Sequence, residues 1–273
     1  MTRSERLPLI AAIQMVSGPE VDANLAQAAV LLAQAAAAGA RLAVLPENFA
    51  LMGLRETDKL TVAEADGDGP IQAFLGEQAR RHGLWLVGGT IPLRGAGERA
   101  RAACLLYDER GERVARYDKM HMFDVQVGDQ EAYRESATLE PGSEPVLVET
   151  PFGRLGLAVC YDLRFPELFR LLAGQGMQIL ALPSAFTATT GAAHWEVLLR
   201  ARAVENLCYV VAAAQGGRHA NGRETFGDSM IVEPWGRVLA RRATGEGVVA
   251  APIDLDHLRE LRARFPALDH RRL

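Results

Sequence analysis

Short runs rich in Val, Ile and Leu, of strand rather than helix length, punctuate the chain. They are Leu9–Met15, Arg41–Leu45, Leu84–Gly88, Arg101–Tyr107, Leu155–Cys160, Gln178–Leu182, Leu207–Ala214, Ser229–Val232, Arg237–Ala240 and Val248–Ile253. Apolar runs of that length, bounded by Gly, Pro and polar residues, predict buried strands. Between many of them the apolar spacing widens to that of a helix. Asp22–Ala38 is rich in Ala and Leu and stops at Gly39, while Pro70–His82 opens on proline and closes at Gly83. Pro166–Ala173 repeats that design before Gly174, and Ala193–Asn206 carries Trp195, Leu198, Leu199 and Ala203 on one face. Proline suits a first helical turn, where its missing N–H costs no bond. Glycine suits the end, where the chain turns left-handed.

Helices alternate with strands early in the chain, and strands follow one another near the C-terminus. That order predicts an α/β protein with mixed rather than purely parallel sheets. Glu233-Pro234-Trp235-Gly236 reads as a hairpin turn between two of the late strands. No repeat, low-complexity linker or charge block marks a boundary, so residues 1–273 are expected to form one domain. The stretches Gly53–Gly69, Arg94–Arg99 and Lys119–Glu144 lack either period, and long ordered loops of that kind often surround active sites.

Composition narrows the function classes. Apolar residues make up 49% and charged residues 23%, with a net charge of −4, so no basic stripe for nucleic acid is present. Met1–Leu9 has charges but no apolar core of signal-peptide length, and no apolar stretch is long enough to span a bilayer. Cys104, Cys160 and Cys208 cannot all pair within one chain and sit in no C-x-x-C or zinc spacing. Free thiols fit a reducing compartment, so a cytoplasmic protein is expected.

Three segments carry candidate chemistry. Cys160 ends an apolar run and is followed at once by Tyr161-Asp162-Leu163-Arg164-Phe165-Pro166 and a helix. A strand turning into a helix presents a side chain at the sheet's C-terminal edge and aims backbone N–H groups at it. Glu47 follows another apolar run, at the same edge if the two strands run parallel. Lys119 lies between Tyr117 and the cluster Met120-His121-Met122-Phe123. Each has a plainer reading: a core cysteine, a solvated carboxylate, a lysine reaching out to water. As a set they supply what thiol catalysis needs, a nucleophile, a proton acceptor and a charge stabiliser. Lys119 would lower the thiol pKa and Glu47 would raise it, and the sequence leaves that balance open. His121, His194 and His219 have no ligand spacing, and Gly88-Gly89 and Gly216-Gly217 fit no phosphate-binding loop.

Leu45-Pro46-Glu47, Tyr117–Phe123 and Cys160–Glu167 together resemble the Glu, Lys and Cys signatures of the nitrilase, or carbon–nitrogen hydrolase, superfamily. The likeness runs from about residue 8 to the C-terminus, in matching order and spacing. Leu182–Thr187, Thr190-Gly191, Ala193–Glu196, Leu199–Asn206, Tyr209–Gln215 and His270-Arg271-Arg272 are similar to its Nit branch. Asn48 departs from the small residue that many Nit relatives carry there.

The resemblance implies a four-layer α-β-β-α sandwich that forms a homodimer through helix packing and the tail 261–273. It implies hydrolysis of a small carboxamide through a thioester, with Cys160 as nucleophile, Glu47 as general base and acid, and Lys119 with the Tyr161 N–H on the oxyanion. Glu135 matches a second family glutamate that positions substrate. Arg164, Phe186 and Thr190 fall where relatives hold a keto-acid end, although Arg164 could instead pair with Asp162 or Glu167. Deaminated glutathione, split into 2-oxoglutarate and Cys-Gly, is the first expected substrate. α-Ketoglutaramate, N-carbamoyl amides and nitriles are alternatives, and an inactive binding scaffold is the non-enzymatic one. No metal or organic cofactor is implied. Lys119→Ala is expected to nearly abolish turnover and leave the fold intact.

Overall fold

The computed structural model describes residues 7–128 and 131–272. Most of the Met1–Leu9 stretch, two residues of the Lys119–Glu144 loop and Leu273 of the tail lie outside the described residues.

Two mixed sheets form the centre. The first runs Gly247–Pro252, Leu9–Gln14, Ala40–Val44, Trp85–Val87, Ala100–Tyr107 and Ile91–Arg94, with Arg113–Asp118 also paired to Ala100–Tyr107. The second runs Val238–Arg242, Ser229–Val232, Tyr209–Ala214, Ile179–Ser184, Gly153–Leu157 and Val146–Thr150. Leu9–Gln14, Ala40–Val44 and Trp85–Val87 are parallel to one another, as are Gly153–Leu157, Ile179–Ser184 and Tyr209–Ala214. The outer strands join antiparallel.

Period-two alternation divides the first sheet's side chains between two cores. Ile10, Ala12, Leu42 and Val44 are paired across strands in register and share a core with Tyr209–Ala214 and Ile179–Ser184 of the second sheet. Ala11, Ile13 and Ala43 point the other way, onto the Val21–Ala37 and Pro70–His82 helices through Leu31, Leu32, Ile71 and Leu75. The Pro166–Gly174 and Ala188–Asn206 helices bring Leu168, Phe169, Leu172, Trp195 and Leu199 to the second sheet's core. Helix, sheet, sheet and helix therefore make the four layers. Each Ile, Leu or Phe so buried contributes ~1.5–3 kcal/mol relative to exposure.

The long helix begins at Ala188 rather than Ala193, because the Thr187 side chain caps it by accepting the Thr190 N–H at 3.1 Å. The Glu233–Gly236 turn joins two antiparallel strands as expected, closed by the Gly236 N–H to Glu233 O at 2.8 Å. Among the described residues no helix is long and apolar enough to cross a membrane.

Candidate active site

Glu47, Lys119 and Cys160 each stand just past a strand, and the three meet between the sheets. The two strand ends expected to share a sheet edge do not. Glu47 follows Ala40–Val44 of the first sheet, and Cys160 follows Gly153–Leu157 of the second. They converge because the sandwich stacks those sheets face to face.

Cys160 does not end a strand either. The strand stops at Leu157, and Cys160 opens a tight turn, Cys160–Arg164, with a φ of +46°. A side chain in that left-handed region is rare, and it survives where its surroundings hold it. Here the holding group is Asp162, fully buried. Its Oδ2 accepts the Val159 N–H at 2.8 Å and the Tyr117 hydroxyl at 2.7 Å. Its Oδ1 accepts the His121 N–H at 3.1 Å and lies 2.7 Å from His121 Nδ1. One carboxylate thus ties the Cys160 turn to both flanks of Lys119.

The backbone at Glu47 is fixed from several sides. Its carbonyl accepts from Gln215 Nε2 at 3.1 Å, and the Asn48 N–H donates to Thr90 Oγ1 at 2.9 Å. Asn48 itself is left-handed, at φ +57°. Gly89, at φ +59°, packs so close to the Pro46 carbonyl that a Cβ would collide with it.

Lys119 Nζ donates to Glu47 Oε1 at 2.7 Å and to Glu135 Oε1 and Oε2 at 2.8 and 2.9 Å. Glu135 Oε2 also accepts the Phe123 N–H at 2.6 Å. Glu135 therefore bears directly on the ammonium and on the loop that follows it.

The electrostatics answer the balance left open by sequence. Burial and the neighbouring Glu47 carboxylate push the Cys160 thiol well above its usual range, against the pull of Lys119 and the Ala185 N–H. Burial also acts to raise Glu47. The Lys119 ammonium, the Cys160 hydrogen bond and the Arg223 charge outweigh it and hold Glu47 below its ordinary range. Burial acts to lower Lys119, but the Glu135 and Glu47 carboxylates push it well above. The resting site is thiol, carboxylate and ammonium.

These groups line a cleft with about 770 Å³ of space between atoms, open mouth included. Tyr161, Arg164, Phe186 and Thr190, all read from sequence, line it too. Among the described residues Arg164 pairs with neither Asp162 nor Glu167. Its guanidinium stands over the Phe186 and Tyr161 rings, at 5.2 and 5.8 Å from their centroids, and its Nη1 is 3.2 Å from His194 Nδ1. Thr190 is bonded through its hydroxyl to Thr187 at 2.9 Å.

Sequence reasoning missed Arg223, Tyr133, Phe123, Asn221 and the Arg55–Lys59 segment, which complete the cleft. Those in loops carry no periodic signal. Phe123 and Tyr133 offered one, as aromatics in the long stretch suspected of bordering a site.

The carbon–nitrogen hydrolase family matches residues 9–263 of the chain. The deaminated glutathione amidase of Synechocystis is 45% identical over 267 residues, covering 96% of this chain and 97% of that protein. The human deaminated glutathione amidase is 45% identical, covering 97% of this chain and 83% of that protein. The crystal structure of Saccharomyces cerevisiae Nit3, a nitrilase-superfamily member, superposes with a TM-score of 0.88 at 30% identity, covering 98% of this chain and 97% of that one. With the four-layer sandwich, these matches establish that the chain belongs to the carbon–nitrogen hydrolase family, whose members hydrolyse carbon–nitrogen bonds.

Proposed function

We propose that this chain hydrolyses the amide of deaminated glutathione, releasing Cys-Gly and 2-oxoglutarate. Cys160 Sγ attacks the amide carbon as Glu47 takes the thiol proton. Lys119 Nζ and the Tyr161 N–H receive the negative charge that develops on the carbonyl oxygen. The intermediate collapses by breaking the C–N bond, with Glu47 returning its proton to the departing amine. A 2-oxoglutaryl thioester remains on Cys160. Water, deprotonated by Glu47, then attacks it and frees the thiol.

The observation that carries this reading is the ordering of the three groups. Lys119 Nζ stands 2.7 Å from Glu47 Oε1 with Cys160 in the same cleft, and their surroundings raise the thiol and lower the carboxylate. A base that is already ionised beside a thiol that keeps its proton suits proton transfer during attack rather than before it. Arg164, on its two aromatic rings, is suited to the keto-acid carboxylate, with Phe186 and Thr190 beside it. Glu135 orients Lys119.

The test is an intact-mass measurement after rapid quenching of enzyme with substrate. A 2-oxoglutaryl adduct on Cys160, absent from Cys160→Ser, supports the covalent route. Turnover with no adduct in slow-deacylation conditions, and full activity in Cys160→Ser, would exclude it.

We also propose a homodimer. Val197 and Val204, seven residues apart on one helix, are 62% and 45% exposed, and Trp235 and Phe265 are similarly bare and packed edge to face. Phe265 brings the C-terminal segment to this surface. Val197→Asp should then yield a monomer by light scattering. Three free cysteines, one of them the nucleophile, suit the cytoplasm.

A further inference from the structure

Two guanidinium groups stand at opposite ends of an aromatic wall in the cleft. At one end the Arg223 guanidinium lies 5.1 Å from the Tyr133 ring centroid. Tyr133 packs on Phe123 at 5.1 Å, and Phe123 on Tyr161 at 5.1 Å. Tyr161 leads to Arg164 at the other end, 5.8 Å from its ring. Arg164 already has a use in the proposed reading. Arg223 has none.

Arg223 lines the cleft and keeps an unpaired donor. Among the described residues its guanidinium makes one hydrogen bond, from Nη2 to the Ala185 carbonyl at 2.7 Å. Its Nε is buried without a hydrogen-bond partner. The cleft's Glu56 is paired with Lys59 at 2.8 Å and also feels the Arg223 charge without bonding to it. A desolvated N–H on a cation is costly to leave unpaired, and Nε with an adjacent Nη forms the fork that fits a carboxylate. The Ala185 bond and the Tyr133 ring hold that fork in place beforehand.

Its location indicates which part of a substrate it meets. In the proposed mechanism Glu47 hands a proton to the departing nitrogen, so the leaving group lies on the Glu47 side. Arg223 lines the same cleft as Glu47, bonded to the Ala185 carbonyl with its charge acting on that carboxylate, whereas Arg164 is packed on Phe186 and Tyr161 beside His194. We propose that Arg223 binds a carboxylate on the amine side of the scissile amide, making the cleft specific for peptide-like dianionic amides over primary amides. This rests on the amidase reading above and assigns the residue that would select its leaving group.

A substrate and variant cycle tests it. Wild type and Arg223→Gln are assayed on deaminated glutathione, on its analogue with the glycine carboxylate replaced by carboxamide, and on α-ketoglutaramate, which shares the acyl half. A charge-assisted hydrogen bond predicts that Arg223→Gln loses about 10–100-fold in kcat/KM on deaminated glutathione. Wild type should lose the same factor on the carboxamide analogue, and the variant on the analogue should lose little more. α-Ketoglutaramate hydrolysis should fall by a clearly smaller factor, the part due to losing the Arg223 charge beside Glu47, and Arg223→Lys should recover part of the loss. If Arg223→Gln slows all three substrates alike, the residue merely supports Ala185 and the subsite is wrong. If wild type is indifferent to the carboxamide, it is equally wrong, and this comparison does not depend on any variant folding. Wild-type inertness toward all three would overturn the amidase reading as well.

Discussion

Lys119 and Glu47 form an ion pair at 2.7 Å, with side chains only 1% and 4% exposed. A buried pair of this kind is worth little net stability, but removing one partner strands the other. Removing Lys119 takes the ammonium from two carboxylates, since Glu135 uses it too. The expectation that Lys119→Ala leaves the fold intact is therefore sharpened to a folded but less stable protein. We predict a loss of ~3–5 kcal/mol in urea unfolding at neutral pH, together with a fall in turnover of ~10²–10³. In the wild type Glu47 is held below its ordinary 4.5, so its contribution is complete above that pH and is lost as the pH falls. In the variant the buried Glu47 carboxylate loses its ammonium and favours protonation, so its deficit should shrink on mild acidification. A deficit that is flat with pH would contradict the account.

Removing the base should make the thiol more acidic. The Glu47 carboxylate is one of the two main influences raising Cys160, after burial. Glu47→Gln deletes that charge and leaves Lys119 nearby. The pH profile for alkylation of Cys160 by iodoacetamide should then move to lower pH. Amide hydrolysis should drop by ~10²–10⁴ because general-base help is gone. Opposite movements of reactivity and turnover distinguish a base from a structural carboxylate. An unshifted alkylation profile would show that Glu47 does not govern the thiol.

Asp162 is not itself part of the cleft lining, yet it should matter for rate. Asn in its place can accept at only one of the two atoms that now serve four contacts. Each donor left unsatisfied in a buried site costs ~1–3 kcal/mol, and both Cys160 and Lys119 are positioned through this group. Asp162→Asn should lower the melting temperature and reduce kcat more than it changes KM. Unaltered kcat would remove Asp162 from the positioning scheme.

Gly89 and Gly83 offer a matched pair. Both have φ +59°, so alanine at either should cost ~1–2 kcal/mol in backbone strain. At Gly83 a Cβ meets open space, whereas at Gly89 it meets the Pro46 carbonyl. Gly89→Ala should displace Glu47 and depress kcat as well as stability. Gly83→Ala should depress stability alone. Equal kcat values in the two variants would count against Gly89 as the support of Glu47.

The buried strands and the capped helices were legible because both their period and their ends are written in side chains. Pro70–His82 is an example, with proline at its start and Gly83 in the left-handed cap. Arg113–Asp118 and Val146–Thr150 were not, for they lie along sheet edges where one face meets solvent and polar residues break the apolar run. The Leu255–Arg264 helix had a usable signal, Leu255, Leu258 and Leu261 after the Asp254 cap, that went unread. Glu47, Lys119 and Cys160 were found because each follows an apolar or aromatic segment. Their convergence from two different sheets depends on stacking, which no local pattern encodes. Arg223 sits in the turn between Gly216–Arg218 and Glu224–Phe226, and only the folded chain brings it to Ala185 and Tyr133.

The most direct test of the central claim is the rate of Cys-Gly release from deaminated glutathione, measured beside α-ketoglutaramate with Cys160→Ala as the blank. The account predicts a much higher kcat/KM on deaminated glutathione and no release by the variant. Preference for α-ketoglutaramate, or release that survives loss of the Cys160 thiol, would contradict it.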